Sequence, residues 1–515
     1  MKFLKRFTCI YFSILSVTAF AQERLNYEVI ARIKEEGFQY SKVLETLSYI
    51  ADVFGPRFCG TPAYYEAAQW AKKRLQDWGV ENVRFDPYPN DLRGWAIKYY
   101  SVEMVEPRYM SISALPSAWT SGTDGEVVGI PIIIDYEDLK SLQKLKGNLR
   151  GKILMSPKVR SREGERRGPF TEEDLENAAQ HINPNNPDGL DNSGIGPFAD
   201  RLRERLTRGE TEEDRINQFL IQEGVAAVIR ASSLDYGLID AKQLPYNKIG
   251  DMKPVPHFII GQEQHARMMR MIDKGISPKL RVQLKVSFYT DPKYHVNILG
   301  EIPGTDHQLK DQIVLVGGHF DSYHSGTGAA DNGAGCATIM EAMRILKVIG
   351  VKPRRTIRIA LWDGEEQGLK GSLGYIKKYV GDILEGTKKQ EQSKISVYFN
   401  HDNNGHNIRG IFLQGNEAIR PIFEEYFKPF HYIGARTVTI ENACCTDHRG
   451  FDAMNIPAFE WVQDPMHYFT HQIHTSMDVV DLVTEDSLKR NAVIIATFVY
   501  HAAMRDEMMP RKRIN

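Results

Sequence analysis

The sequence predicts an α/β protein: a mixed, mostly parallel sheet flanked by helices and interrupted by an inserted β-rich segment. Three observations carry this prediction. From Val296 onward short apolar runs alternate with stretches of helical periodicity. Between about Thr120 and Thr290 the texture changes to short apolar runs bounded by Gly and Pro. From Tyr40 to Gly79 the apolar residues recur at helical spacing. The chain has 515 residues, 42% hydrophobic and 25% charged, enough for several large cores and unlike a disordered tail or a membrane bundle. Lys and Arg number 65 against 66 Asp and Glu, so there is no basic excess of the kind a general nucleic-acid binder needs, and no nucleic-acid partner is expected.

The N-terminus carries a targeting pattern. Lys2, Lys5 and Arg6 precede an apolar run from Phe7 to Phe20, and Ala19-Phe20-Ala21 supplies small residues for cleavage, so residues 1–21 read as a secretory signal peptide. The run is too short to span a bilayer comfortably, and no later apolar stretch reaches spanning length. An exported chain, periplasmic or extracellular and without a membrane span, is expected.

In the helical stretch, Thr61 is a capping residue and Pro62 suits a first helical position. Ala67, Trp70, Ala71, Leu75 and Trp78 form one face, and Gly79 can end the helix. Val83 to Phe85 reads as a strand, as do Val127 to Ile134 and Lys152 to Met155. Leu280, Val282, Leu284, Val286 and Phe288 alternate with polar residues, which predicts a half-buried antiparallel strand. Ser161 to Asp214 is rich in charge, Pro, Asn and Gly with little period, and reads as a long surface excursion. Later strand candidates are Val296 to Leu299, Ile313 to Val316, Thr356 to Trp362, Ile395 to Phe399, Ile408 to Leu413 and Ile456 to Val462. Cys59, Cys336, Cys444 and Cys445 are too few and irregular for a disulfide scaffold and read as small buried hydrophobes, their pairing open.

Several strand candidates end in residues that can bind metal, where open α/β sheets place their ligands. Ile313 to Val316 leads into Gly317-Gly318-His319-Phe320-Asp321-Ser322, and a Gly-rich loop then reaches Asp331-Asn332-Gly333. Thr356 to Trp362 leads into Asp363-Gly364-Glu365-Glu366, Ile395 to Phe399 into Asn400-His401-Asp402, and His474-Thr475-Ser476-Met477-Asp478 occupies a polar loop.

With these motifs in order (GGHFDS, GAADNGAG, WDGEEQG, NHD, TDHRGFDAMNIPAF and HTSMDVVDLV), the chain resembles the secreted co-catalytic zinc exopeptidases of the aminopeptidase and carboxypeptidase Q type. The segment from Thr120 to Thr290 resembles a protease-associated domain, chiefly in Leu145 to Ile153 and Glu223 to Ile229. The resemblance implies the zinc exopeptidase fold, divided into residues 22–119 as the N-terminal part of the catalytic domain, 120–290 as a protease-associated-like insertion and 291–515 as the catalytic zinc peptidase domain. It implies two Zn2+ ions per chain held by His319, Asp331, Glu366, Asp402 and His474. Asp331 would bridge the ions, with His319 and Asp402 on one and Glu366 and His474 on the other. It further implies hydrolysis of short peptides or dipeptides through a metal-bridging water, with Glu365 as general base. A homodimer is an expectation resting on the resemblance alone. Relatives differ from this chain at Asn332, where many have Asp, and some have a cis peptide after the bridging Asp.

The residue chemistry agrees. Imidazole and carboxylate suit zinc. Three ligand carboxylates and a hydroxide would bring about four negative charges to about four positive ones. In an extended segment, adjacent Glu365 and Glu366 would point to opposite sides, one to substrate and one to metal. Asp321 and Asp478 are candidates for contacts to the ligand imidazoles. His448 is as readily structural as a substrate contact, and Tyr468 is a candidate for the pocket wall. His467, His471 and His474 could form a single-metal cluster, but their segment has no helical apolar face. His401 and His406 draw the same sober reading. The run Gly326 to Asp331 puts a carboxylate where a dinucleotide's pyrophosphate would lie, which argues against such a cofactor. No HExxH or GxSxG motif offers another protease mechanism. Two alternatives stay open: a single-zinc glutaminyl cyclase-like acyltransferase and a metal-free peptidase-like binding module.

Overall fold

The computed structural model describes residues 23–159, 169–180, 195–207, 209–402 and 405–512, and the signal segment expected at residues 1–21 lies outside them. The central sheet has six strands in the order Glu81–Pro87, Val296–Ile302, Thr356–Trp362, Ile313–His319, Ile395–Asn400 and Ala458–Phe459. The first two strands join antiparallel and the last four run parallel.

Strands covered on both faces need apolar residues in both alternating sets, and these strands have them. Val314, Val316, Ile357, Ile359 and Leu361 enter one core with the helices Ala334–Val348 and Glu485–Met504. Ile313, Leu315, Ala360 and Trp362 enter a second, with Tyr375, Tyr398 and Phe451. In the first core Phe498 packs its ring within 4.7 to 6.1 Å of Phe399, Phe423, Tyr426, Phe427 and Trp461. Among the described residues no helix is long and apolar enough to cross a membrane.

The helical stretch near the N-terminus is broken into Val43–Ser48, Tyr49–Val53 and Pro62–Asp77. Thr61 caps the last of these by accepting from Tyr64 N at 3.3 Å. The run 127–134 splits into Val127–Gly129 and Ile132–Ile133, and 456–462 contributes the short strands Ala458–Phe459 and Trp461–Gln463. Ile408–Phe412 leaves the central sheet for a three-stranded one.

The inserted unit has two sheets, one ordered Ala114–Pro116, His257–Ile260, Ala227–Ala231, Ile153–Met155 and Ile132–Ile133. In the other, Lys279–Tyr289 pairs antiparallel with Gly94–Glu106 along its whole length. Gly94–Glu106, which precedes residue 120, is thus the ladder partner of a strand inside the segment 120–290.

The excursion expected over 161–214 is also corrected: its described parts contain the helices Glu172–Gln180 and Ile195–Leu206. Both pack against the catalytic unit, and each is too short to leave a clear period in the sequence.

Phe498→Ala should cost about 3–5 kcal/mol, the usual range for deleting a buried aromatic ring. The urea midpoint by far-UV circular dichroism checks this, and a midpoint near wild type would show that the cluster contributes little.

Candidate active site

The carboxyl ends of three parallel strands and two loops bring six functional side chains together. His319 closes strand Ile313–His319, Glu365 and Glu366 follow Thr356–Trp362, and Asp402 follows Ile395–Asn400. His319 Nε2 lies 3.2 Å from Asp331 Oδ1 and 3.3 Å from Asp402 Oδ1. His474 Nε2 lies 3.3 Å from Asp331 Oδ2 and 3.1 Å from Glu366 Oε2. The two oxygens of Asp331 thus face two imidazoles, and the donors form two groups, His319 with Asp331 and Asp402, and His474 with Asp331 and Glu366, that share this one carboxylate. Glu365 lies beside His319 and Glu366.

Each of these groups is held from behind. His319 Nδ1 donates to Asp321 O at 3.0 Å, which turns Nε2 toward the acids. The Asp321 carboxylate accepts from Glu365 N at 3.1 Å and Glu366 N at 3.3 Å. Glu365 and Glu366 thus begin a turn and are not part of an extended strand; the backbone curls around Asp321, and both carboxylates come within reach of His319 and of each other. Asp478 was expected beside an imidazole. Its carboxylate instead accepts from Ala330 N and Asp331 N, so it fixes the loop of the shared acid. The Asp331–Asn332 peptide is cis, and Asn332 Nδ2 donates to His401 O at 2.9 Å.

Arg57, which the sequence reading missed, is fully buried and fastens both ends of the loop that runs from His319 toward Asp331. Its guanidinium donates to Phe320 O at 2.7 Å, Ile50 O at 3.1 Å, Thr327 O at 3.0 Å and Gly328 O at 2.8 Å. Gly328, at φ +66°, passes so close that a Cβ there would meet Ser322 Cβ at 2.4 Å. Three further supports were missed. Glu460 accepts from Asp402 N and Asn400 Nδ2. Gln463 donates to Asp402 O at 2.6 Å. Tyr323 stacks on the His474 ring at 3.6 Å between centroids. Nothing in the local sequence separates these residues from ordinary core or loop positions.

The electrostatics are those of an acid-rich, water-poor centre. Burial works against ionisation of Asp331, yet hydrogen bonds and charge from His319 and His474 hold it well below the usual carboxylate range. Burial likewise opposes a charge on His474, but Glu366 and Asp331 raise it to about 10, and His319 is raised by Asp402 and its other acidic neighbours. Burial, with Asp331 nearby, lifts Glu366 to about 7, and burial lifts Glu365 well above its ordinary value. Four carboxylates thus surround two imidazoles, and Glu366 Oε1 is buried without a hydrogen-bond partner. Oxygen and nitrogen donors in this ratio, with an oxygen to spare, fit divalent cations of the zinc type.

A cavity of about 640 Å3 opens onto these residues. Tyr468 lines it, as do Phe170, Phe198 and Arg201 from the segment first read as an excursion. His448 does not: it is fully buried outside the cavity wall, its Nε2 bonded to Ala443 O at 3.2 Å, and burial lowers it to about 3. Cys444 and Cys445, read as buried, are exposed on the cavity wall and joined to each other as a disulfide. His401 is buried and forms no part of the donor cluster.

Comparison with known proteins agrees with this geometry. Residues 297–499 match the model of peptidase family M28. Carboxypeptidase Q of Homo sapiens is 25% identical over 486 residues, covering 94% of this chain and 90% of that protein. Leupeptin-inactivating enzyme 1 of Streptomyces exfoliatus is 28% identical over 222 residues, covering 40% and 48%. Among solved structures, the peptidase M28 precursor from Shewanella amazonensis superposes with a TM-score of 0.65 at 20% identity, covering 95% of this chain and 99% of that one. A zinc aminopeptidase from Bacillus subtilis gives a TM-score of 0.54 at 18% identity, covering 90% and 95%. Fold, site and relatives together define a metallo-exopeptidase. Residues 297–499 match peptidase family M28, and most of the chain is similar to carboxypeptidase Q and shares the fold of a solved M28 peptidase precursor.

Arg57→Ala should destabilise the protein by at least about 3 kcal/mol, since it strands four buried carbonyl oxygens. Denaturant unfolding followed by tryptophan fluorescence measures this; an unchanged midpoint would mean that other donors reach those carbonyls.

Proposed function

We propose that the chain is an exported dizinc exopeptidase that cleaves short peptides, dipeptides among them, and receives the substrate's free carboxylate in its cavity. The observation that carries this reading is the pair of donor groups sharing Asp331. His319 and Asp402 would hold one ion, Glu366 and His474 the other, and Asp331 both. When bound, the two zinc ions would acidify a water and polarise the scissile carbonyl.

The protein's own groups do the rest. Glu365 stands beside the cluster without belonging to either Asp331-sharing group, which leaves it free to take the proton of the attacking water and return it to the departing amine. Its backbone N–H, held by Asp321, fixes the turn from which the side chain leaves. Aromatic side chains, Phe170, Phe198, Tyr468 and Phe469, wall the cavity against water.

The charge on the wall supports a carboxylate end. Apart from the cluster itself, the charged groups lining the cavity are Arg201 and Arg449, with no further acid among the described residues. A cavity of about 640 Å3 falls in the small-ligand range and suits a short peptide better than a protein terminus. The similarity to carboxypeptidase Q along most of the chain points the same way.

Metal analysis should find two zinc ions at the Asp331 cluster, counted as the equivalents that His319→Ala and His474→Ala together remove from the purified protein; one would favour a cyclase-like acyltransferase, and none a binding module. Glu365→Gln should keep both ions and lower kcat by about 10²–10⁴-fold, because it removes proton transfer and no ligand. Turnover near wild type would remove Glu365 from the mechanism. Free dipeptides should be hydrolysed and their C-terminal amides much less so, and equal rates on both would refute the carboxylate assignment.

A further inference from the structure

A second group of metal-ligand side chains lies apart from the Asp331 cluster. Cys59 comes from the loop before helix Pro62–Asp77, His295 from the residue before strand Val296–Ile302, and Asp363 from the residue after strand Thr356–Trp362. Cys59 Sγ lies 3.5 Å from His295 Nδ1, which lies 3.5 Å from Asp363 Oδ2, and all three donor atoms are within 4.8 Å of one another. The three residues are 2%, 2% and 0% exposed. None lines the catalytic cavity, so a nucleophilic Cys–His–Asp arrangement would have no substrate to meet.

The spacing is that of a coordination shell. Sulfur, nitrogen and oxygen ligands at ordinary zinc bond lengths stand about 3.3–3.6 Å apart at a tetrahedral angle. Asp363 Oδ2 also accepts from the Tyr88 hydroxyl at 2.8 Å, a contact that orients the carboxylate from outside. Asp363 Oδ1 is buried without a hydrogen-bond partner, so the carboxylate keeps a donor atom in reserve. A buried oxygen left this way costs free energy that a cation would recover.

We propose that Cys59, His295 and Asp363 bind a further divalent ion of the zinc type, in a closed structural site separate from the catalytic centre. On binding, the thiol gives up its proton to solvent. Thiolate and carboxylate then balance the double positive charge, with the imidazole neutral, and the buried site carries no net charge. Thiolate with imidazole selects zinc-like ions over magnesium or calcium. The ion would tie the loop before helix Pro62–Asp77 and the start of Val296–Ile302 to the turn that carries Glu365 and Glu366.

Cobalt(II) distinguishes this site from the catalytic one, whose donors are nitrogen and oxygen alone. Full-length protein stripped of metal and reloaded with cobalt(II) should show a near-ultraviolet thiolate-to-cobalt charge-transfer band. The band should persist in Cys9→Ser, Cys336→Ser, Cys444→Ser and Cys445→Ser and vanish in Cys59→Ser. Both Cys59→Ser and His295→Gln should carry one equivalent of zinc fewer than wild type. No band in the loaded wild type, or a band that survives Cys59→Ser, overturns the proposal. Should Cys59→Ser fail to fold, loss of the band in any one of the other four cysteine variants overturns it, and survival in all four leaves Cys59 as the thiolate. Because the readout is a sulfur band, it stands apart from the dizinc reading.

Discussion

A single carboxylate, Asp331, faces two imidazoles with its two oxygens, and much of the surrounding structure serves to keep it there. A short, ionised side chain in a buried place is costly unless its neighbours are fixed as well. Asp478 grips the backbone on its N-terminal side, Asn332 ties the next residue to His401, and Arg57 clasps the two ends of the loop that leads to it. The glycines at 326 and 328 are needed because these loops pass within contact distance of Asp478 and Ser322.

The acids that converge on the site exceed the available imidazoles, so their mutual repulsion favours a bound cation or a proton on Glu365 and Glu366. This sets a division of labour. The parallel strands deliver His319, Glu366 and Asp402 at fixed heights, since each leaves the sheet at its carboxyl end. Asp331 and His474 come from loops and depend on neighbours for their position. For His474 that neighbour is partly the inserted unit: Ala241 N donates to His474 O at 2.7 Å, and Asp240 bridges to Thr475. The inserted sheets therefore support a residue of the site directly, and the helices Glu172–Gln180 and Ile195–Leu206 bring aromatic and cationic side chains to the cavity.

The vicinal cysteines and the helical excursion were misread for related reasons. Cys444 and Cys445 look like small hydrophobes because composition gives no sign of which loop will form a cavity wall. The excursion's helices are short and set among runs of charge, Pro, Asn and Gly, so their helical period is faint. His448, as readily structural as substrate-facing in the sequence, is buried by the fold against Ala443 O.

The sequence by itself determined the α/β alternation, most strand positions and the identity of the donor side chains. Those features are local: period two against period 3.6, glycine at tight turns, and acids or histidines just past apolar runs. The tertiary structure alone decided which oxygen faces which imidazole, that Asp478 holds a backbone in place of a ring, that Arg57 braces its loop, and that Gly94–Glu106 pairs with Lys279–Tyr289. Each of these depends on the meeting of atoms far apart along the chain, and such meetings are set by packing across the sheet and between the two units, for which no local pattern exists.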